Sequence, residues 1–269
     1  MNVFGLLLAT VGVATAASAG ETVIIEGDDD FPPYAYVENG QFKGIYVELI
    51  SLAAKQLAPQ YNVVLKPIPW KRGLKNLETG KSLALFAPFR NKERGYIGAY
   101  STPLYRETVA LFCTDAVMNK SPRKFPEDFA GLTIGTNLGF FLGAQMAAAT
   151  KAKVFTLSES KGNQANLQRL QAGDIDCYAS DRLAAYYSFN LLLDRQRRRN
   201  LTRFQGFRLN PAQELSSEET YIAYSAAHPA SYKDDFIKQM NSALSRVEES
   251  GVINQLIGRA IEPIPPSSD

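Results

Sequence analysis

One unit is written twice in this chain: a helix, a glycine turn, an apolar strand and a loop. It runs through LETGKSLALFAPFR (77–90) and again through LQAGDIDCYASD (170–181). In each copy a glycine closes the helix, where left-handed backbone is needed. The apolar run that follows, such as Leu83 to Phe86, is too short for a helix and reads as a buried strand. Helices alternating with strands predict α/β architecture with largely parallel sheets. Two copies predict two similar lobes rather than one long sheet, and a cleft between lobes is a preferred ligand site.

The rest of the chain fills in this frame. Residues 1–19 are an apolar run ending in Ala17-Ser18-Ala19, the pattern of a secretory signal with its cleavage site. Thr22 to Ile25 reads as a strand and Asn39-Gly40 as a tight turn. Gly44 opens a helix whose core face is Ile45, Leu49, Leu52 and Ala53. Val63–Ile68 and Thr108–Cys113 are further strands, with a helix starting at Trp70 between them. Leu132–Gly135 leads into Asn137-Leu138-Gly139-Phe140-Phe141-Leu142, a strand–glycine–helix layout that would set helix N-terminal amides over a cleft. Strands follow at Val154–Leu157 and Thr220–Tyr224, and helices at Asn163–Ala172 and Leu183–Leu193. The last long helix carries Phe236, Met240, Leu244 and Val247 on one stripe, and the Pro-rich tail, 263–269, is expected to fray.

Composition removes several chemistries. A net charge of +2 gives no reason to expect nucleic acid, and the basic run Arg195–Arg199 reads as a solvated helix end or loop. One histidine, His228, rules out a zinc site built on several histidines, and it has no serine elbow for a triad. Asp28-Asp29-Asp30 lacks the alternating spacing of a calcium loop, so no metal or cofactor is expected. Cys113 and Cys177 form no Cys-x-x-Cys pair; an oxidising compartment would permit a disulfide, but two buried thiols are the expectation.

The residue that invites chemistry is Arg94, in the loop after Leu83–Phe86. A guanidinium beside the carboxyl end of a strand offers a rigid fork that matches a carboxylate. The alternative is an ordinary surface arginine paired with Glu93. The strand of the second unit ends on an acid, Asp181, which could instead bridge locally to Arg182. One cation and one anion at strand ends on opposite lobes would suit a zwitterion, because a buried charge requires an opposite partner.

Five segments in order, FPPYAYVENGQFKGIYVELI, PWKRGL, NKERGYIGAYSTPLY, AGLTIGTNLG and AGDIDCYASD, resemble extracytoplasmic solute-binding proteins of family 3, the polar amino-acid-binding receptors of ABC importers. The resemblance spans about residues 22–262. It implies a type II periplasmic-binding-protein fold: two lobes with mixed sheets flanked by helices, closing by a hinge on one small ligand. The implied lobes are 22–110 plus 218–262, and 114–214, with crossovers near Leu111 and Thr220. By position, Arg94 matches the family arginine for the ligand carboxylate and Asp181 the acid for its amino group. Phe31 and Trp70 match pocket-wall positions, Ala87, Pro88 and Phe89 the loop that meets the amino group, and Gly139, Phe140 and Phe141 the second-lobe helix start.

Three features depart from that pattern. Ala87, Pro88 and Phe89 supply no hydroxyl, one residue is deleted before Arg94, and Phe140 and Phe141 replace small hydroxyl residues. An amino acid is the expected solute, with another small carboxylate or a larger apolar-faced solute left open. The implied protein is a periplasmic, monomeric, non-catalytic receptor that delivers its ligand to an inner-membrane ABC permease. A cleft enzyme, with Asp28–Asp30 and Glu107 as its candidate acids, and a sensory receptor are the alternatives.

Overall fold

The computed structural model describes residues 20–261. The expected signal segment and the 263–269 tail lie outside the described residues. In chain order the elements are β1 (Glu21–Asp28), β2 (Asp30–Phe31), β3 (Ala35–Glu38), β4 (Gln41–Lys43), α1 (Ile45–Ala54), β5 (Tyr61–Ile68), α2 (Trp70–Glu78), β6 (Ala84–Phe89), β7 (Ile97–Tyr100) and β8 (Tyr105–Cys113). There follow α3 (Asp115–Met118), β9 (Thr133–Asn137), α4 (Ala144–Lys151), β10 (Thr156–Ser160), α5 (Gly162–Ala172), β11 (Cys177–Asp181), α6 (Arg182–Arg198), β12 (Asn210–Ser225), α7 (Lys233–Glu249) and α8 (Val252–Ile261).

Both copies of the repeated unit form as expected: α2 into β6, and α5 into β11. Gly80 and Gly173 take positive φ after their helices. Each unit feeds a parallel region of sheet. β1 pairs in parallel with β5 and β6, while β9 pairs in parallel with β10 and β11. β8 and β12 run antiparallel between these regions and to each other. They join the two parallel regions into one continuous mixed sheet of nine strands, ordered β10-β9-β11-β8-β12-β6-β1-β5, with β7 added on β12. A separate three-stranded sheet, β2-β3-β4, stands beside it. The carboxyl ends of β1, β6, β9 and β11 carry Asp28, Phe89, Asn137 and Asp181, and ligands of α/β sheets gather at such ends.

The apolar core follows the halves of the sheet. One cluster joins β1 and α1 to the stripe Phe236, Met240, Leu244 and Val247 of α7, as the periodicity predicts. Another gathers Val109, Leu111, Phe129, Ile134 and Met146 around β8 and β9. Full burial of each such side chain contributes about 1.5–3 kcal/mol. On α1 the expected face is corrected: Leu52 is 37% exposed, while Tyr46, Ile50 and Ala53 are buried. The helix leans on α7 and α8 as well as on β5, which turns its stripe away from Leu52.

Three further expectations change. β12 is sixteen residues long rather than five, because its polar first half, NPAQELSSEE, is held by pairing with β8. Cys113 and Cys177 are disulfide-bonded, not free thiols. The antiparallel register of β8 and β11 sets them directly opposite each other, 4.0 Å apart at Cα. Finally, Gly139–Leu142 is not a helix start. Gly139 and Gly143 both take positive φ, and α4 begins only at Ala144, so Phe140 and Phe141 ride on a loop.

Candidate ligand-binding site

A narrow cleft opens where the carboxyl ends of β1 and β6 meet the 139–142 loop. Its walls include Phe31, Trp70, Ala87, Pro88, Phe89, Arg94, Phe140 and Phe141, eight residues singled out in the sequence. Asp28, Tyr46, Phe86 and Glu107 complete much of the lining. Neither Gly139 nor Asp181 is in the wall. The cleft is thus an aromatic chamber holding one cation and two acids.

Arg94 is placed by the turn after β6, where its amide donates to the Asn91 carbonyl at 3.1 Å. Among the described residues no ion pair holds its guanidinium, including the pair with Glu93 considered from sequence. Its Nη1 is buried without a hydrogen-bond partner. Burial lowers its pKa from the usual arginine value, with the nearby Tyr96 and Tyr100 opposing that shift. A desolvated guanidinium with an open donor is a seat for an anion.

The residues around it are positioned by the sheet. Ala87, Pro88 and Phe89 were expected in a loop, but they extend β6, and Phe89 pairs with Thr220 of β12. This stretch therefore shows the cleft a strand end and not a hydroxyl-bearing loop. Trp70 opens α2 and donates its indole N–H to the Gly139 carbonyl at 3.2 Å. Beside it, Lys71 pairs with Glu159 at 3.3 Å, and Glu159 also accepts the Gly139 amide at 2.6 Å. The loop is anchored below by a buried cluster in which Tyr178 and Asn137 both donate to Asn163, at 2.7 Å each.

The two acids in the wall come from β1 and β8. Asp28 is buried at the end of β1, and burial pushes its pKa up to about 7. Glu107 accepts the Tyr46 hydroxyl at 2.5 Å, and burial followed by the nearby Asp181 charge holds its pKa well above the carboxylate range. Tyr46 in turn accepts from the Thr220 hydroxyl at 3.0 Å.

Asp181 sits differently from the expectation. It is the N-cap of α6, with Oδ1 accepting the Ala184 amide at 2.8 Å and the Tyr34 hydroxyl at 3.0 Å. Its Oδ2 accepts the Thr108 amide at 3.2 Å. Burial raises its pKa to about 6, against the lowering effect of these donors. Arg182, its sequence neighbour, pairs with Glu214 instead. The carboxylate thus has three donors from this chain, and Tyr34 stacks on Tyr46 with ring centroids 4.8 Å apart.

In the sequence Asp28 stands out only as one of three consecutive candidate acids, and nothing marks Tyr46, Phe86 or Ala35. A signal for Asp28 existed: it is the residue that closes the first strand of a parallel pair, where sheet ends present their side chains to a ligand. Tyr46 and Phe86 read from sequence as ordinary core, and nothing local marks them as cleft wall.

Residues 23–262 match the model of bacterial extracellular solute-binding proteins, family 3. The chain belongs to this family. No curated protein sequence matches it. Among solved structures it is similar to a histidine kinase sensor domain with similarity to periplasmic binding proteins (18% identity, TM-score 0.70, 92% of this chain and 99% of that one). It also resembles an ancestral arginine-binding protein bound to arginine (20% identity, TM-score 0.69, 90% and 99%). A third is an ancestral amino-acid-binding protein described as a precursor of cyclohexadienyl dehydratase (18% identity, TM-score 0.67, 90% and 96%). The fold of this family-3 protein is therefore the two-lobed, type II periplasmic-binding-protein fold, with the cleft between the lobes. Among the described residues no helix is long and apolar enough to cross a membrane.

Proposed function

We propose that this protein is a periplasmic receptor for a small carboxylate-bearing solute, an amino acid in the first instance, and that Arg94 is the carboxylate seat. The observation that carries this reading is the largely desolvated guanidinium whose buried Nη1 has neither a hydrogen-bond partner nor an ion pair among the described residues. Family membership and amino-acid-binding neighbours support a binding role. The lobes are 22–110 plus 218–262, and 114–214, and the hinge lies in β8 and β12. Closure brings the 139–142 loop of one lobe over Arg94 and Trp70 of the other. The receptor acts as a monomer and passes its solute to an inner-membrane ABC permease.

The seat for a ligand amine is Asp28, not Asp181. All the donors on Asp181 come from its own chain, whereas Asp28 faces the cleft with one internal contact, from the Asp30 amide at 3.2 Å. A cationic group beside Asp28 would favour its ionised form and lower its raised pKa. A thermal-shift screen of amino acids and small carboxylates tests the reading, since ligand at a hundredfold above Kd adds about 2.7 kcal/mol of stability. A panel without a single stabilising hit counts against it.

A catalytic reading has one observation in its favour: Asp28 and Glu107, two acids with raised pKa values, both line the cleft. Incubating the best hit with protein and analysing it for chemical change separates the two. Unchanged solute supports a receptor, and turnover supports an enzyme.

A further inference from the structure

Phe140 occupies a position that a ligand side chain would otherwise contest. Its ring meets Phe31 edge-on at 5.0 Å between centroids and Trp70 edge-on at 5.6 Å. Phe31 and Trp70 belong to one lobe and Phe140 to the other, so the second lobe inserts its own aromatic ring between two wall aromatics of the first. The backbone under the ring is held, because the Gly139 carbonyl accepts the Trp70 indole N–H and the Gly139 amide donates to Glu159. A Cβ on Gly139 would stand 2.9 Å from Lys71 Cγ, so the close approach of loop and α2 needs glycine there.

The same ring divides the space around it. The Arg94 cleft, a broader groove against α4 and a further cavity beside Lys161 all have Phe140 in their walls. It is the one residue common to those three cavities. Edge-to-face aromatic contacts are favourable beyond the area they bury. A solute that needed the slot between Phe31 and Trp70 would have to displace both contacts before gaining its own.

We infer that Phe140 is a specificity-determining residue: it fills the aromatic slot from within the chain and restricts the receptor to compact solutes without a large side chain. The inference rests on the Arg94-centred reading above and adds the size limit of the ligand. Removing the ring joins the cleft to its neighbouring cavities and leaves an aromatic slot that a ligand's own phenyl ring can enter.

The test is titration calorimetry of wild type, Phe140→Ala and Phe140→Leu with acetate, L-alanine and L-phenylalanine. The melting temperature of each variant is recorded to show that it is folded. Wild type is expected to bind a compact probe and to bind L-phenylalanine at least tenfold more weakly. Phe140→Ala should gain tenfold or more for L-phenylalanine while Phe140→Leu, which still fills the slot, does not. Equal or better L-phenylalanine binding by wild type overturns the inference and leaves the Arg94 reading standing. A gain that survives in the Arg94→Ala, Phe140→Ala double variant supports the role of Phe140 and sinks the carboxylate seat. If no form binds any of the three probes, the size limit falls, while the Arg94 reading is decided separately by the wider amino-acid and carboxylate screen.

Discussion

Arg94 and Asp181 are both charged groups taken largely out of water, and the chain treats them in opposite ways. Around Asp181 it supplies a helix N-terminal amide, a strand amide and a tyrosine hydroxyl. At Arg94 it leaves a buried guanidinium nitrogen without any donor–acceptor match among the described residues. A buried charge with its full set of partners holds structure, whereas one left short is destabilising unless something else completes it. The comparison places Asp181 among the groups that hold the frame and supports the proposal that Arg94 is left for a ligand.

The largest effect that sharpens this contrast is on stability. Asp181→Ala removes a helix cap, typically about 1 kcal/mol, and leaves the buried Tyr34 hydroxyl and Thr108 amide unpaired at roughly 1–3 kcal/mol each. Because these groups share one site, the expected total is about 3 kcal/mol, read as a lower midpoint in urea denaturation. Arg94→Ala should cost under about 1 kcal/mol, since it removes a desolvated charge rather than a partner. Equal losses in the two variants would break the comparison.

The pH dependence should be next in size. A carboxyl group whose folded pKa lies above its unfolded value binds protons more tightly in the folded state. Its stabilising contribution is full below the unfolded value and declines as pH rises through the folded one. Asp181 rises from 3.8 to about 6 and Asp28 from 3.8 to about 7, so the protein should be more stable at pH 5 than at pH 8. Calorimetric melting across that range checks the sign. Asp28→Asn should flatten the upper part of the slope, and a melting temperature that rises steadily to pH 8 would contradict the burial of these acids.

The smallest expected effect belongs to the exposed contact across the cleft. Lys71 and Glu159 pair at 3.3 Å with side chains 54% and 36% exposed. Such pairs contribute about 0–1 kcal/mol and are screened by salt. Lys71→Ala should therefore lower the stability obtained from urea denaturation by no more than a few tenths of a kcal/mol, in contrast to the buried Asp181 node. A loss as large as that of Asp181→Ala would mean that the lobes are held by surface charge.

The fold was largely legible because its signals are local. Helix, glycine turn and short apolar strand lie side by side in both repeated units, and the α7 stripe is a plain helical period. What stayed hidden depends on pairing between distant residues. NPAQELSSEE has little of a strand's composition and becomes one only along β8. The Cys113–Cys177 bond requires the register of β8 on β11. At the cleft, Arg94 and the aromatic walls could be named from sequence, because residue type and loop position marked them. The partners of Asp181 could not, since Tyr34 lies 147 positions away and Thr108 lies 73. That distance in sequence is why a capping acid and a ligand-binding acid looked alike.

Titration calorimetry of Arg94→Ala against the strongest hit of the amino-acid and carboxylate screen tests the central claim most directly. Losing one partner of a buried, hydrogen-bonded charge pair costs about 2–5 kcal/mol, or tens to thousands of fold in Kd. The account predicts a loss of that size with the melting temperature of the unliganded protein nearly unchanged. Binding of the same hit within twofold of wild type would contradict it and return Arg94 to the surface arginines.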